Sequence, residues 1–229
     1  MPATVVETRR EAADARTLLL EADVAPTLAG QHVDIRLTAE DGYTAQRSYS
    51  VGSAAGAARL EVTVVRFDDG EVSPYLVEDV ELGDMVEVRG PIGGWFVWLP
   101  EQTEPVQLIA GGSGVVPLMA MIRTHAATAS AAPFRLLYGS TGPEHEFYGK
   151  ELDALAGPAL AVTRRYSRFG PDAGRITPAL LAEVTHPPEV RPTVYICGGT
   201  AFVEAMADAL VAQGHEAARI RTERFGPTG

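Results

Sequence analysis

Up to about residue 100, apolar residues recur at every second position in short runs. Beyond it, strand-like runs alternate with helix-like ones. In "HVDIRLT" the alternation puts Val33, Ile35 and Leu37 on one face. "ATVVETRRE", "ARTLLLEAD", "QRSYSVG", "ARLEVTVVRF" and "DMVEVRG" follow the same rhythm, with a turn at Glu11–Asp14 between the first two. The spacing predicts one short helix, "SPYLVEDV", with Ser73 as its N-cap and Pro74 in its first turn. Several strands and one helix predict a small antiparallel barrel.

From Pro105 the pattern is strand, helix, strand, helix. "VQLIAGG", "FRLLYGS", "LAVTRRY", "TVYICGG" and "IRTERF" are the strands; "VPLMAMIRTHA", "EFYGKELDALA", "TPALLAEV" and "FVEAMADALVAQG" are the helices. Such alternation predicts a five-stranded parallel sheet covered on both faces. "WLPEQTEP", Trp98 to Pro105, reads as the hinge, dividing the chain into domains 1–101 and 105–229. A ligand of the second domain belongs beyond the carboxyl ends of its strands, where "GGSG" and "CGGT" both fall.

Composition narrows the chemistry. A formal charge of −11 argues against binding a nucleic-acid backbone, although it leaves room for a local phosphate pocket. The single cysteine, Cys197, excludes an internal disulfide and a thiolate-held iron–sulfur cluster within these residues. The five histidines show no ligand spacing, so no metal site is expected. The N-terminal segment lacks the pattern of an export signal, and no run has the length of a membrane span. The expectation is a soluble cytoplasmic monomer with no nucleic-acid or membrane partner.

Five short motifs carry candidate chemistry, each with a plainer alternative. "GGSGVVP" has Gly112, Gly114 and Pro117 at a strand-to-helix junction, either a pyrophosphate cradle or a bare turn. In "QRSYSVGS", Arg47 and Tyr49 share a strand face; they suit a phosphate and a flat ring, or form a surface arginine beside a half-buried tyrosine. Gly70 to Ser73 leads into the predicted helix and either caps it or presents N–H groups to a phosphate. Cys197 ends a strand before Gly198, as a small buried hydrophobe or as part of a ligand rim. Phe225 is a packing residue, a cover for a planar ligand, or a frayed end.

Taken in order, these motifs resemble the ferredoxin–NADP reductase superfamily of flavin oxidoreductases over nearly the whole chain. The R-x-Y-S motif is Arg47-Ser48-Tyr49-Ser50, and the G-x-x-S segment is Gly70-Glu71-Val72-Ser73. "RGPIGGWFVW" matches the barrel's closing turn, Gly111 to Pro117 the G-G-x-G-x-x-P motif, Cys197-Gly198 the C-G turn, and Glu223-Arg224-Phe225 the E-x-aromatic. The resemblance implies an FAD-binding barrel followed by an NAD(P)-binding α/β domain. It implies that Arg47 neutralises an FAD phosphate, Tyr49 packs on the flavin or its ribityl chain, and Ser50 hydrogen-bonds near flavin N5. Gly70, Glu71, Val72 and Ser73 would hold the FAD pyrophosphate. Gly112, Gly114, Pro117 and Gly198 would hold the nicotinamide dinucleotide, Cys197 would sit beside the reactive C4, and Glu223 and Phe225 would complete the catalytic set with Ser50.

Two features depart from the pattern. "GGT" follows Cys197 where the family commonly has Gly-Pro. After "LLYGS" there is no arginine for a 2′-phosphate, so Arg164 or Arg165 is the substitute, with Arg168 or Arg175 further off, and NADH and NADPH both stay open. The implied activity passes hydride from NAD(P)H to FAD and then electrons to a separate protein, an iron–sulfur protein or an oxygenase or other oxidoreductase component. The alternatives are a free-flavin reductase or diaphorase, and a non-catalytic flavin-binding redox sensor.

Overall fold

The computed structural model describes residues 1–128 and 130–226; Ala129 and Pro227–Gly229 lie outside. Its first half is a six-stranded antiparallel sheet: β1 (Pro2–Ala12), β2 (Ala15–Ala22), β3 (His32–Thr38), β4 (Thr44–Ser50), β5 (Leu60–Val65) and β6 (Met85–Ile92). Their order is β4-β3-β6-β1-β2-β5. The two edges meet through one bridge, Val51 to Val62, so the expected barrel is rolled without a full closing ladder. Strand alternation works as expected on β3: Val33 and Ile35 are buried in the barrel core, and Leu37 packs beside them. The β1–β2 turn is tighter than expected. Pairing continues to Ala12–Ala15, leaving only Ala13 and Asp14 to turn the chain.

The helix after β5 is a single wide turn, Tyr75–Asp79, in which the Val80 N–H donates five residues back to Tyr75. Ser73 does not cap it. Its hydroxyl accepts from the Phe67 N–H at 3.1 Å and closes the Phe67–Ser73 loop instead.

The second half forms a five-stranded parallel sheet ordered β11-β10-β7-β8-β9. The strands are β7 (Val106–Gly111), β8 (Phe134–Ser140), β9 (Leu160–Tyr166), β10 (Thr193–Gly199) and β11 (Ile220–Phe225). The helices are α1 (Val115–Thr128), α2 (Gly149–Leu155), α3 (Pro178–Val184) and α4 (Thr200–Ala212). Helix α1 buries residues all round its axis, from Val115 to Met121 without interruption. A helix apolar on every side needs cover on every side. One core cluster joins its Leu118, Met119 and Met121 to β7 and β8 and to Ala15, Ala29 and Trp98 of the first half. Trp98 is fully buried and its main-chain N–H donates to Ala29 O, so the segment read as a hinge starts from a fixed point in the core.

Candidate functional site

The site grows from the contact of two turns. Strands β7 and β10 are parallel neighbours, with Cys197 in register with Ala110. The turns after them therefore lie side by side. A Cβ on Gly114 would fall 2.1 Å from the Cys197 carbonyl oxygen, so no side chain fits there. The Phe202 ring of α4 covers both turns: a Cβ on Gly111 would meet it at 2.8 Å, and one on Gly198 at 2.9 Å. Gly112 is different. A Cβ there would meet nothing within 4 Å, and glycine is required by the backbone alone, at φ 55°. The space in front of Gly112 is open, at the start of a 14-residue helix whose first N–H groups favour an anion. Pro117 sits in the first turn of α1, where no intrahelical donor is needed.

Beside these turns, β10 and β11 place Cys197 opposite Glu223, and Gly199 opposite Phe225. Cys197 is fully buried; burial, and then the charge of Glu223, push its thiol well up, so it is held neutral and is no nucleophile. Burial also raises the Glu223 carboxyl to about 7. Its Oε2 is buried without a partner, as is the Oγ of Ser50 at the end of β4. Buried polar atoms in folded proteins are nearly always paired. Of the three orphans among the described residues, Trp98 Nε1 is enclosed in the apolar core, whereas Ser50 Oγ and Glu223 Oε2 stand toward the ends of β4 and β11, where a ligand atom would pair them. Phe225 is half-buried against the core cluster that contains Cys197.

On the first domain, Arg47 is exposed on β4 and reaches Glu71 Oε2 at 3.1 Å. The Tyr43 hydroxyl also donates to Glu71, and these donors, Tyr43 first, hold that carboxyl below its usual range. Tyr49 packs on the barrel core, and burial pushes its phenol up. Ser48 points elsewhere: its hydroxyl donates to Asp34 at 2.6 Å, on the face opposite Arg47 and Tyr49. In the Gly70–Ser73 segment Val72 is buried, and a Cβ on Gly70 would lie 2.7 Å from Ser73 Oγ, so the loop is packed on itself.

The arginines near β8 separate clearly. Arg164 is engaged by Glu146 at 2.6 Å and Asp153 at 2.7 Å. Arg168 is exposed, and its main-chain N–H donates to Thr141 O at 3.0 Å, placing its backbone beside Ser140 and Thr141 at the strand rim.

Sequence reasoning missed the contacts that join the two halves. Arg123 of α1 donates to Gly52 O and Glu61 Oε1, each at 2.6 Å, and in fork fashion to Glu151. Burial alone would lower its pKa, but the carboxylates of Glu151 and Glu61 raise it, so the charge is secure. Removing one partner of a buried pair costs about 3–5 kcal/mol. The guanidinium lies 4.9 Å over the ring of Tyr148, whose hydroxyl bonds Thr63 and whose N–H donates to Glu11 at 3.1 Å. Arg221 pins the other side of the interface by donating to Val97 O at 2.7 Å and Trp95 O at 3.2 Å. A charged residue inside an otherwise apolar run, as in "VVPLMAMIR" and "LEVTVV", was the available signal.

This arrangement defines a two-domain flavin- and nicotinamide-nucleotide oxidoreductase. Residues 2–97 match the oxidoreductase FAD-binding domain and residues 108–208 the oxidoreductase NAD-binding domain. The chain belongs to the ferredoxin reductase-like family of FAD-dependent oxidoreductases. It is 34% identical over 161 residues to methane monooxygenase component C of Methylosinus trichosporium, covering 68% of this chain and 46% of that protein. It is 28% identical to the toluate 1,2-dioxygenase electron transfer component of Pseudomonas putida, covering 86% and 58%. The chain thus spans about half the length of these curated relatives. Among solved structures it resembles the FAD/NAD-binding domain of a nitric oxide dioxygenase from Vibrio cholerae, with TM-score 0.89, 28% identity, and 99% and 98% of the two chains covered. A cytochrome P450 reductase from Amycolatopsis gives 0.87 and 27%, over 100% and 71%. Among the described residues no helix is long and apolar enough to cross a membrane.

The residues present fit both nucleotides. The open left-handed Gly112 ahead of a helix N-terminus suits a pyrophosphate, and the exposed Arg47 suits a phosphate.

Proposed function

We propose that this chain is the reductase of an electron-transfer system, drawing electrons from NAD(P)H and delivering them to a separate redox protein. That acceptor is an iron–sulfur protein or an oxygenase component. The observation that carries the reading is the meeting of the Gly112–Gly114 and Cys197–Gly198 turns beside Glu223, with the orphaned oxygens of Glu223 and Ser50. The names of the relatives support it, and the division of labour falls at the segment between residues 101 and 105. The one cysteine is buried, so the acceptor's redox centre lies outside these 229 residues. The reading includes a cytoplasmic location, a monomer, and no nucleic-acid partner.

When bound, FAD supplies the two-electron to one-electron conversion that nicotinamides lack. The residues bind and align. Arg47, now paired with Glu71, would hold an FAD phosphate, Tyr49 would offer a flat apolar face, and the Gly70–Ser73 loop would hold the pyrophosphate. Ser50 Oγ offers a hydrogen bond to the ring. Gly112, Gly114 and Pro117 shape the nicotinamide dinucleotide site with Gly198. The neutral Cys197 would exclude water beside the nicotinamide, Glu223 would hold a proton near neutrality, and Phe225 would cover the flavin ring. Arg168, on the rim beside Thr141, is better placed for a 2′-phosphate than the engaged Arg164. The ratio of kcat/KM for NADH and NADPH, in the wild type and in Arg168→Ala, decides the coenzyme.

The test is the visible spectrum. A yellow protein should bleach under anaerobic NADH or NADPH, oxidise the coenzyme slowly with oxygen, and turn over rapidly with ferricyanide or the partner. A colourless protein that takes up no FAD would sink the reading. Complete turnover with oxygen or free flavin, without stimulation by a protein acceptor, would make it a small-molecule reductase.

A further inference from the structure

We propose that Arg123 is a positioning residue that fixes the register between the strand end carrying Ser50 and the helix that follows the dinucleotide turn. The inference rests on the reading above, because in that reaction alignment of the two bound rings supplies most of the catalysis. Among the described residues its side chain bonds Gly52, Glu61 and Glu151 and lies over Tyr148, none of them a candidate ligand residue, so its action is through other groups.

Two short paths converge on its guanidinium. On the first domain it holds the carbonyl of Gly52, two residues beyond Ser50, at 2.6 Å, and Glu61 on β5 at 2.6 Å. On the second it belongs to α1, whose Val116 is two residues beyond Gly114, and it grips Glu151 of α2 through two bonds of 2.7 Å. The two paths touch: a Cβ on Gly52 would meet Tyr148 Oη at 3.2 Å and Val116 at 3.4 Å. Gly114 in turn lies against Cys197. The path therefore runs along the chain from Ser50 to Gly52, across to Val116, along the chain to Gly114 and across to Cys197, with Arg123 bracing its middle.

The surroundings are built to keep that brace in one place. Thr124, the next residue, accepts the Ala55 N–H at 2.8 Å, a second tie from α1 to the loop after β4. Tyr148, under the guanidinium, holds a left-handed backbone at φ 59°, rare for a bulky residue and sustained only when its neighbours fix it. Four directed bonds from one planar fork specify position, whereas a lysine keeps the charge and loses the geometry.

Arg123→Lys is therefore the deciding variant, with the double variant Arg123→Met/Glu61→Met as a second that removes the buried carboxylate together with the guanidinium and leaves only the more exposed Glu151 unpaired. In Arg123→Lys, FAD content, nicotinamide affinity and flavin reoxidation by ferricyanide should stay near wild type. Stopped-flow flavin reduction should slow about 10–100-fold, the scale expected of a misalignment near 1 Å. The deuterium isotope effect on turnover, with the coenzyme labelled at C4, should rise. In the cofactor-free protein, amide exchange at Ala55 should quicken, a readout independent of activity. Wild-type reduction rates in both variants, rate losses that merely track lost FAD or lost Tm, or unchanged exchange at Ala55 would each overturn the positioning role while leaving the functional reading intact. A wild-type flavin that neither nicotinamide reduces would overturn both.

Discussion

Gly114 and Cys197 pack backbone to backbone: a Cβ on the glycine would stand 2.1 Å from the cysteine carbonyl oxygen and 2.4 Å from its carbon. Both atoms are main chain in adjoining elements, so neither can rotate aside. Gly114→Ala should force the two turns apart, at an overpacking cost of roughly 1–3 kcal/mol. Denaturant unfolding should show that loss, nicotinamide titration a weaker complex, and FAD content no change. A variant with wild-type nucleotide affinity would show that the contact is incidental to binding.

Glu223 gives stability a pH signature. Its carboxyl titrates at about 7 in the folded chain against 4.5 in the unfolded one. Between those values the folded state holds a proton that the unfolded state has released. The stabilisation is fully present below about 4.5 and is lost as the pH rises through about 7. Relative to Glu223→Gln, the cofactor-free wild type should therefore lose stability across this window, by at most about 1.4 kcal/mol per pH unit. Urea unfolding at several pH values checks it, and parallel curves for the two proteins would contradict it.

Arg47 and Glu71 predict opposite effects on FAD. Arg47→Ala removes a charge-assisted phosphate contact of about 1.5–3 kcal/mol, which corresponds to roughly ten- to hundredfold weaker binding. Glu71→Gln removes the carboxylate that occupies the same guanidinium and should tighten binding. Fluorescence titration of the cofactor-free protein with FAD measures both. Unchanged affinity in Arg47→Ala would take Arg47 out of the site.

Cys197→Ser should keep fold and FAD and slow flavin reduction, because a more polar hydroxyl replaces a neutral thiol at a fully buried rim position. Stopped-flow reduction at the wild-type rate would remove Cys197 from the reacting centre.

Phe225→Ser should raise affinity for the oxidised nicotinamide by taking away a half-buried cover. A difference-spectrum titration with NAD(P)+ tests this, and identical affinities would leave Phe225 as packing.

The rhythm of apolar positions predicted the two sheets because each strand's burial follows from its own side chains: Val33 and Ile35 face inward whatever the neighbours are. The rim was legible for a related reason, since Gly112, Gly114 and Cys197-Gly198 stand at strand ends that any parallel sheet aligns. Interactions between distant residues were not legible. Nothing local announces that Arg164 meets Glu146 and Asp153, that Ser73 closes a loop instead of capping a helix, or that Arg123 meets Gly52. Those partners are chosen by tertiary packing, which local propensity does not encode. Phe202 belongs with them: an ordinary apolar helix residue, it acquires its place over Gly111 and Gly198 only once the sheet has assembled.

The order β11-β10-β7-β8-β9 also has a consequence for how the molecule comes into being. Strands β7, β8 and β9 can be added one beside the next as the chain emerges from the ribosome. The partner on the other flank of β7 arrives only with β10, when Cys197 comes to rest against Gly114, 83 residues earlier (197 − 114). Long-range parallel pairing is intrinsically slow, so this half of the cradle is among the last parts to form. Until then β7 exposes an unpaired edge of alternating main-chain donors and acceptors, open to the wrong neighbour. The segment that completes the nucleotide site is thus also the one that ends the nascent chain's most vulnerable period.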